Sequence, residues 1–138
     1  MSSEDIRQLV QARIGQAIET LADAKALLVA GRSGRTIVNR SYYVMFYSVL
    51  ALLQTINRIP RKHQGAISLF DREFAHTGLL TRELSADLHR VFDARQQEDY
   101  HSLTPVSVNE ATETIEKAER FLEAIRGYLT QSDYLPHE

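Results

Sequence analysis

Tyr42-Tyr43-Val44-Met45-Phe46-Tyr47 is apolar nearly all the way round a helix, and it lies inside a segment that we predict to be helical from Thr36 to Asn57. A helix without a clean polar face is usually buried on several sides. We therefore predict that this is the central helix, whose tyrosines pack in the core rather than form a stacking platform for bases. Pro60 prevents the helix from continuing, because the residue before a proline disfavours helical geometry.

Two long amphipathic segments and two shorter ones surround this centre. From Ser3 to Ala30, apolar residues recur at alternating spacings of four and three, which is one helical stripe. The last helix begins at a predicted capping box of Ser107 and Glu110 and repeats that spacing as far as Leu129. The shorter helices carry two apolar sets: Ile67, Phe70 and Phe74, then Leu84, Leu88, Val91 and Phe92. This pattern predicts an all-α, up-and-down bundle of four to five helices, with the long outer helices nearly antiparallel.

The composition limits the classes of protein and of site. A chain of 138 residues suits one domain, which we place at 1–131, with a frayed tail at 132–138. The chain has no cysteine, which excludes disulfides, thiolate zinc sites and cysteine nucleophiles. The histidines form no i, i+4 pair and no cluster in the sequence, so we expect no metal and no cofactor. His89 and Asp93 share a helix face, which we interpret as a helix-stabilising contact rather than as a pair of ligands. With no apolar signal region and no membrane-spanning run, we expect a cytoplasmic protein without a membrane segment. A net charge of -2 argues against broad nucleic-acid binding but leaves room for a local basic cleft.

Arg95 and His101 are the first candidate catalytic residues. They are separated by five residues near the end of the fourth helix, which we expect to be exposed. An arginine that stabilises phosphate charge, beside a histidine that titrates near neutral pH, is the minimum for metal-free RNA cleavage. On a regular helix the two side chains would point about 240° apart. Catalysis therefore requires the helix to end near Tyr100, or a second subunit to complete the site. The alternative is that Arg95 simply pairs with Asp99 at i, i+4.

Two further groups could bind phosphate. Arg40 and Tyr43 lie three residues apart on the central helix and could point together toward a cleft, although such an arginine often only extends past a core tyrosine. The second group is a basic turn just after the central helix, formed by Arg58, Arg61, Lys62 and His63. It precedes a helix whose free amides and dipole favour an anion. A solvated turn without a ligand is the alternative.

Three ordered blocks resemble those of HEPN domains (higher eukaryotes and prokaryotes nucleotide-binding). The first is Asn39-Arg40-Ser41-Tyr42-Tyr43-Val44-Met45-Phe46-Tyr47. The second is Lys62-His63-Gln64-Gly65-Ala66-Ile67-Ser68-Leu69-Phe70. The third is Phe92-Asp93-Ala94-Arg95-Gln96-Gln97-Glu98-Asp99-Tyr100. Together with the final helix they cover most of the chain, in the order of the small stand-alone HEPN group.

The resemblance implies a four- or five-helix bundle that is often a homodimer and is frequently encoded beside a minimal nucleotidyltransferase. Many HEPN proteins are metal-independent ribonucleases that use an arginine, four to six residues, then a histidine, a spacing that Arg95 and His101 match. Others bind nucleotide, RNA or a partner protein without turnover. Gln96 departs from the asparagine, aspartate or histidine usual in active members. Arg95, Asp99 and Tyr100 match the pattern common in the stand-alone group.

We therefore predict a HEPN-type domain that binds nucleotide or RNA and works with a partner, such as a nucleotidyltransferase, in a toxin–antitoxin or defence module. One alternative is a ribonuclease that acts through Arg95 and His101. A second is a purely structural helical dimer. The candidate binding residues are Arg40, Tyr43, Arg61, Lys62, His63, Asp99 and Tyr100.

Overall fold

The computed structural model describes residues 2–100 and 105–137, and the side chains of all of these except 97–100. Over these ranges the chain forms five α-helices and no strand: α1 (Ser3–Val29), α2 (Gly34–Thr55), α3 (His63–Phe70), α4 (Arg82–Tyr100) and α5 (Val108–Gln131). A short π-helix, Asp71–Ala75, extends α3. The all-α bundle predicted from the sequence is confirmed.

The central position predicted for the second helix is also what the structure shows. α2 packs against α1, α3, α4 and α5, and α1 and α5 also contact each other. Its fully buried residues include Val44, Met45, Val49, Leu52 and Leu53. Because four helices cover α2, only a limited part of its surface is open to solvent, and the candidate site lies on that part.

Local hydrogen bonds fix where the long helices begin. Ser2 and Asp5 form a capping box at the start of α1, and the Ser33 hydroxyl accepts from the amide of Thr36 at the start of α2. At α5 the Ser107 hydroxyl accepts from the amide of Glu110, which is one half of the capping box that the sequence predicts. The starts of the three long helices are therefore set by their own sequences.

The π-helix joins α3 to α4. Its first residue, Asp71, accepts a hydrogen bond from the Ser85 hydroxyl through one carboxylate oxygen and pairs with His89 Nε2 through the other, both at 2.6 Å. The predicted contact between His89 and Asp93 is therefore wrong, since His89 pairs with Asp71 instead. These two contacts of Asp71 hold the π-helix, and with it the end of α3, against α4. α3 itself begins at His63.

The tyrosine-rich stretch is only partly core. Tyr42 is fully buried, but Tyr43, Phe46 and Tyr47 are half-buried and lie at the edge of the core. The prediction that the whole run packs in the core is therefore wrong for these three rings. The rings of Tyr43 and Phe46 contact His63, the first residue of α3.

The end of the chain lies against the bundle. Tyr134 and Leu135 pack against the core, and Arg7 Nε donates to the Asp133 carbonyl oxygen at 3.0 Å. The bounds of the domain, 1–131, and the frayed tail at 132–138 stay predictions. None of the helices described above is long and apolar enough to cross a membrane.

Candidate functional site

Three elements bring polar and aromatic side chains together at the edge of the core. α2 contributes Arg40, Tyr42 and Tyr43, α3 contributes His63, and α4 contributes Arg95. We name this group the arginine–tyrosine cluster. Four of its five members are residues that the sequence singled out, and Tyr42 is the addition.

Arg95 is held on two tyrosine rings. Its guanidinium carbon lies 4.9 Å from the ring centre of Tyr42 and 5.5 Å from that of Tyr43, which is within the range of cation–π attraction. The residue is half-buried, so the expected exposed position at the helix end is wrong. Its Nε is fully buried and has no hydrogen-bond partner among the described side chains. The alternative pairing with Asp99 involves a side chain outside the described residues.

Arg40 approaches the same aromatic surface. Its guanidinium carbon lies 5.0 Å from the ring centre of Tyr43, and its Nε and Nη2 donate to the Asn39 side-chain oxygen at 3.3 and 3.0 Å. Neither Arg40 nor Arg95 pairs with any carboxylate whose side chain is described. Two positive charges that share one ring repel each other, so an anion bound beside them would lower the energy of the site.

His63 is fixed by stacking and by one hydrogen bond. Its ring stacks on Phe46 with the ring centres 4.1 Å apart and an angle of 16° between the planes. Its Nδ1 lies 2.8 Å from the hydroxyl oxygen of Tyr42. Burial raises the pKa of the Tyr42 hydroxyl far above its usual value. Burial lowers the pKa of His63, and the positive charge of Arg95 lowers it further, so the imidazole is neutral near pH 7.

The lowered pKa of His63 has a consequence for stability. Below its ordinary pKa of 6.5, the unfolded chain takes up a proton that the folded protein resists. The free energy of unfolding is therefore not reduced by this group above about pH 6.5. It decreases as the pH falls from there toward the lower pKa of His63 in the folded state. Urea unfolding between about pH 5 and 8 should show a steeper loss of stability on acidification in the wild type than in His63→Gln. Equal slopes would contradict the environment described for His63.

The basic turn lies directly before His63. Arg58, Arg61 and Lys62 are all exposed. Lys62 is the N-cap residue of α3, and its side chain makes no capping hydrogen bond. The first amides of α3 therefore have no side-chain acceptor from the cap, and their partial positive charge adds to that of the turn.

The remaining predicted residues are not tested by this geometry. His101 lies outside the described residues, and so do the side chains of Asp99 and Tyr100. The sequence pattern assigns Tyr42 to the core alone, although adjacent helical residues point about 100° apart, so that only one of Tyr42 and Tyr43 can face the interior fully. In the described ranges no group of three or more histidine, cysteine or acidic residues is arranged to hold a metal ion.

Two surface grooves lie elsewhere. The larger, of about 440 Å³, runs between α1 and α5 past Gly15, Ile18 and Gly127, and the smaller, of about 190 Å³, lies beside Val106 and Lys117. Neither includes a residue of the arginine–tyrosine cluster. Each groove has acidic as well as basic residues in its lining. Glu123 lines the larger groove and Glu113 the smaller, so neither presents a surface of cations alone.

Comparison with known families assigns the fold. The family model described as HEPN domain matches residues 10–128, a span that includes all of the arginine–tyrosine cluster. The chain belongs to the HEPN domain family. The resemblance predicted from the three sequence blocks is thereby confirmed.

Relatives of this HEPN domain occur in bacteria and archaea. A UPF0332 protein of Thermotoga maritima is 41% identical over 110 residues, which cover 80% of this chain and 83% of the relative. Two proteins of Methanocaldococcus jannaschii are named "Putative toxin", MJ0605 and MJ0142. The first is 34% identical over 94% of this chain and 95% of its own, and the second is 36% identical over 73% of this chain and 69% of its own.

Proposed function

We propose that this HEPN domain binds the phosphate groups of a nucleotide or of RNA at the arginine–tyrosine cluster. The observation that carries the proposal is that Arg40 and Arg95 both lie over Tyr43 while neither pairs with a described carboxylate. A guanidinium presents a planar set of N–H donors that matches a phosphate, and Arg40 and Arg95 are both half-buried, so part of each side chain stays open to a ligand. A phosphate would supply the negative charge and would accept from the exposed N–H groups.

The aromatic rings favour a nucleotide over inorganic phosphate. Tyr43, Phe46 and Tyr47 are half-buried, so part of each ring is open to a ligand, and Tyr43 lies next to both cations. Stacking of a base on an aromatic side chain contributes about 1–3 kcal/mol and tolerates different bases. The same surface can therefore hold a base on the rings and its phosphate on the arginines.

The basic turn extends the binding surface along the backbone of RNA. Replacement of Arg61 and Lys62 by alanine should flatten the salt dependence of binding to a labelled 12-nucleotide RNA, because fewer counterions are released. The slope of log affinity against log salt should fall by about 1.4, at about 0.7 for each lost contact to a single strand. Fluorescence anisotropy at several salt concentrations measures this slope.

A matched control removes two positive charges elsewhere. Lys25 and Arg72 are exposed, and each pairs with a glutamate away from the turn. The Lys25→Ala/Arg72→Ala variant loses two positive charges, as the turn variant does, so the two variants have the same net charge. We expect the control to keep the wild-type slope. Equal slopes in the turn variant and the wild type would remove the turn from the binding surface.

The domain works, in this proposal, with a partner protein in a cytoplasmic toxin–antitoxin or defence module. Support comes from the two relatives named as toxins and from the nucleotidyltransferase that the family resemblance implies. Co-purification with the product of a neighbouring gene tests the partner, and light scattering at micromolar concentration tests the homodimer. A monomer would contradict the homodimer. A purely structural dimer would bind neither nucleotide nor RNA.

A ribonuclease is the second candidate function, and the fixed position of Arg95 favours it. Arg95 would stabilise the charge of the phosphorane while His101 takes the 2'-hydroxyl proton or protonates the leaving oxygen. Cleavage should survive EDTA, leave 2',3'-cyclic phosphate ends and depend on a group that titrates near the usual histidine range, about pH 6 to 7. His101→Ala should abolish it. If purified protein cuts no RNA, or if His101→Ala cuts as well as the wild type, binding without turnover is the function.

A further inference from the structure

The hydrogen bond between Tyr42 and His63 identifies which nitrogen of the imidazole carries the proton. The Tyr42 hydroxyl is fully buried, and its sole hydrogen-bond partner among the described residues is His63 Nδ1, at 2.8 Å. If Nδ1 carried the proton, the buried hydroxyl hydrogen would have no acceptor among those residues, which is costly. The hydroxyl therefore donates to Nδ1, and the imidazole proton lies on Nε2.

The second nitrogen makes no hydrogen bond in the part of the chain that the structure describes. The side chains of residues 97–100 are not described, and among all other residues of 2–100 and 105–137 no group forms a hydrogen bond with Nε2. The residue is half-buried, and the plane of its ring is set by the stack on Phe46. The titratable and charged groups around it are Tyr42 and Tyr43 from α2, Arg95 from α4 and the neighbouring Lys62.

This inference rests on the proposed function and specifies its chemistry. We propose that His63 binds a non-bridging phosphate oxygen of the nucleotide or RNA as a neutral Nε2–H donor, with Tyr42 as the positioning residue that holds Nδ1. The lowered pKa of His63 supports this, because it keeps the ring neutral near pH 7. Because Nδ1 accepts from Tyr42 and Nε2 already carries a proton, neither nitrogen is placed to take a proton from a bound substrate. In this proposal His63 is therefore a phosphate ligand and not a general base.

The protonation state can be measured on the free, full-length protein. Two-dimensional ¹⁵N NMR of the histidine rings, assigned by comparison with His63→Gln, should show the neutral Nε2–H form of His63 at pH 7. Tyr42→Phe should convert it to a mixture of both neutral forms, a change that a merely structural tyrosine would not cause. An Nδ1–H form or an imidazolium in the wild type would overturn the proposal.

Two amide variants separate the donor from the acceptor. Asparagine at position 63 places its amide near Nδ1, so it can accept from Tyr42 but lacks a donor at Nε2, whereas glutamine reaches the position of Nε2 and keeps one. Affinity for 5'-AMP and for the labelled 12-nucleotide RNA should fall about tenfold in His63→Asn and by about threefold or less in His63→Gln. Wild-type affinity in a folded His63→Asn would overturn the proposal.

The outcomes separate this inference from the proposed function. If Arg95→Ala loses binding while His63→Asn does not, the phosphate site stands and the role of His63 fails. If the wild type binds neither 5'-AMP nor RNA, both fail. Should the variants not fold, the wild type decides: 5'-AMP should shift the Nε2 signal of His63. An unmoved Nε2 signal alongside a shifted Arg95 Nε signal would overturn the role of His63 alone.

Discussion

Replacement of Arg95 by alanine is expected to weaken the binding of 5'-AMP and of RNA by about 100-fold, because it removes a charged, planar donor from the centre of the site. The free energy of unfolding should fall by only about 1 kcal/mol, as cation–π contacts to Tyr42 and Tyr43 are lost. Anisotropy and calorimetric titration measure the first effect, and urea unfolding measures the second.

Arg82 supplies the matched control for Arg95. It is the first residue of α4 and exposed, about 20 Å along the same helix, so Arg82→Ala makes the same change in charge far from the cluster. We expect near wild-type affinity for this variant. Arg95→Lys, which keeps the charge but loses the planar fork, should bind with intermediate affinity. Equal losses in Arg82→Ala and Arg95→Ala would mean that only net charge matters.

Replacement of Tyr42 by alanine is expected to lower the free energy of unfolding by about 3–5 kcal/mol, the largest change in stability that we expect from the site. Tyr42 is fully buried and contacts the rings of Tyr43, Phe46, His63 and Phe92, so truncation leaves a cavity. Tyr42→Phe should cost about 1 kcal/mol, since it removes only the hydroxyl. Urea unfolding measures both.

Tyr43 is the internal comparison for Tyr42. It is half-buried, and its ring faces the two arginines, so Tyr43→Ala should cost clearly less stability than Tyr42→Ala and more affinity than Tyr42→Phe. If Tyr43→Ala destabilised the protein as much as Tyr42→Ala does, the division of this pair between core and site would be wrong.

Much of the fold follows from local pattern. The four-three spacing in α1 and α5 and the all-round apolar character of α2 each predict one element without reference to the others. The π-helix was not predictable in this way, because Ile67, Phe70 and Phe74 fit a continuous α-helix equally well. Asp71 at its first residue is held by Ser85 and His89, which are distant in sequence, so this feature depends on tertiary contacts.

The candidate site was predictable in part. Arg40 and Tyr43 are three residues apart on one helix, so their contact follows from helical geometry. The approach of Arg95 to the same ring is a contact between α2 and α4 that no local pattern contains. Adjacent tyrosines indicate that one ring faces the core, but the choice of Tyr42 depends on the packing of His63 and Phe92 against it.

The buried Nε–H of Arg95 provides the most direct test of the phosphate site. In ¹H–¹⁵N spectra of the full chain titrated with 5'-AMP, we expect this signal to shift, together with the backbone amides of Arg40, Tyr43 and the first turn of α3. The amides that line the groove between α1 and α5 should not move. An unmoved Arg95 Nε–H signal at saturating nucleotide, with shifts confined to other surfaces, would contradict the proposal that Arg40 and Arg95 form the phosphate site.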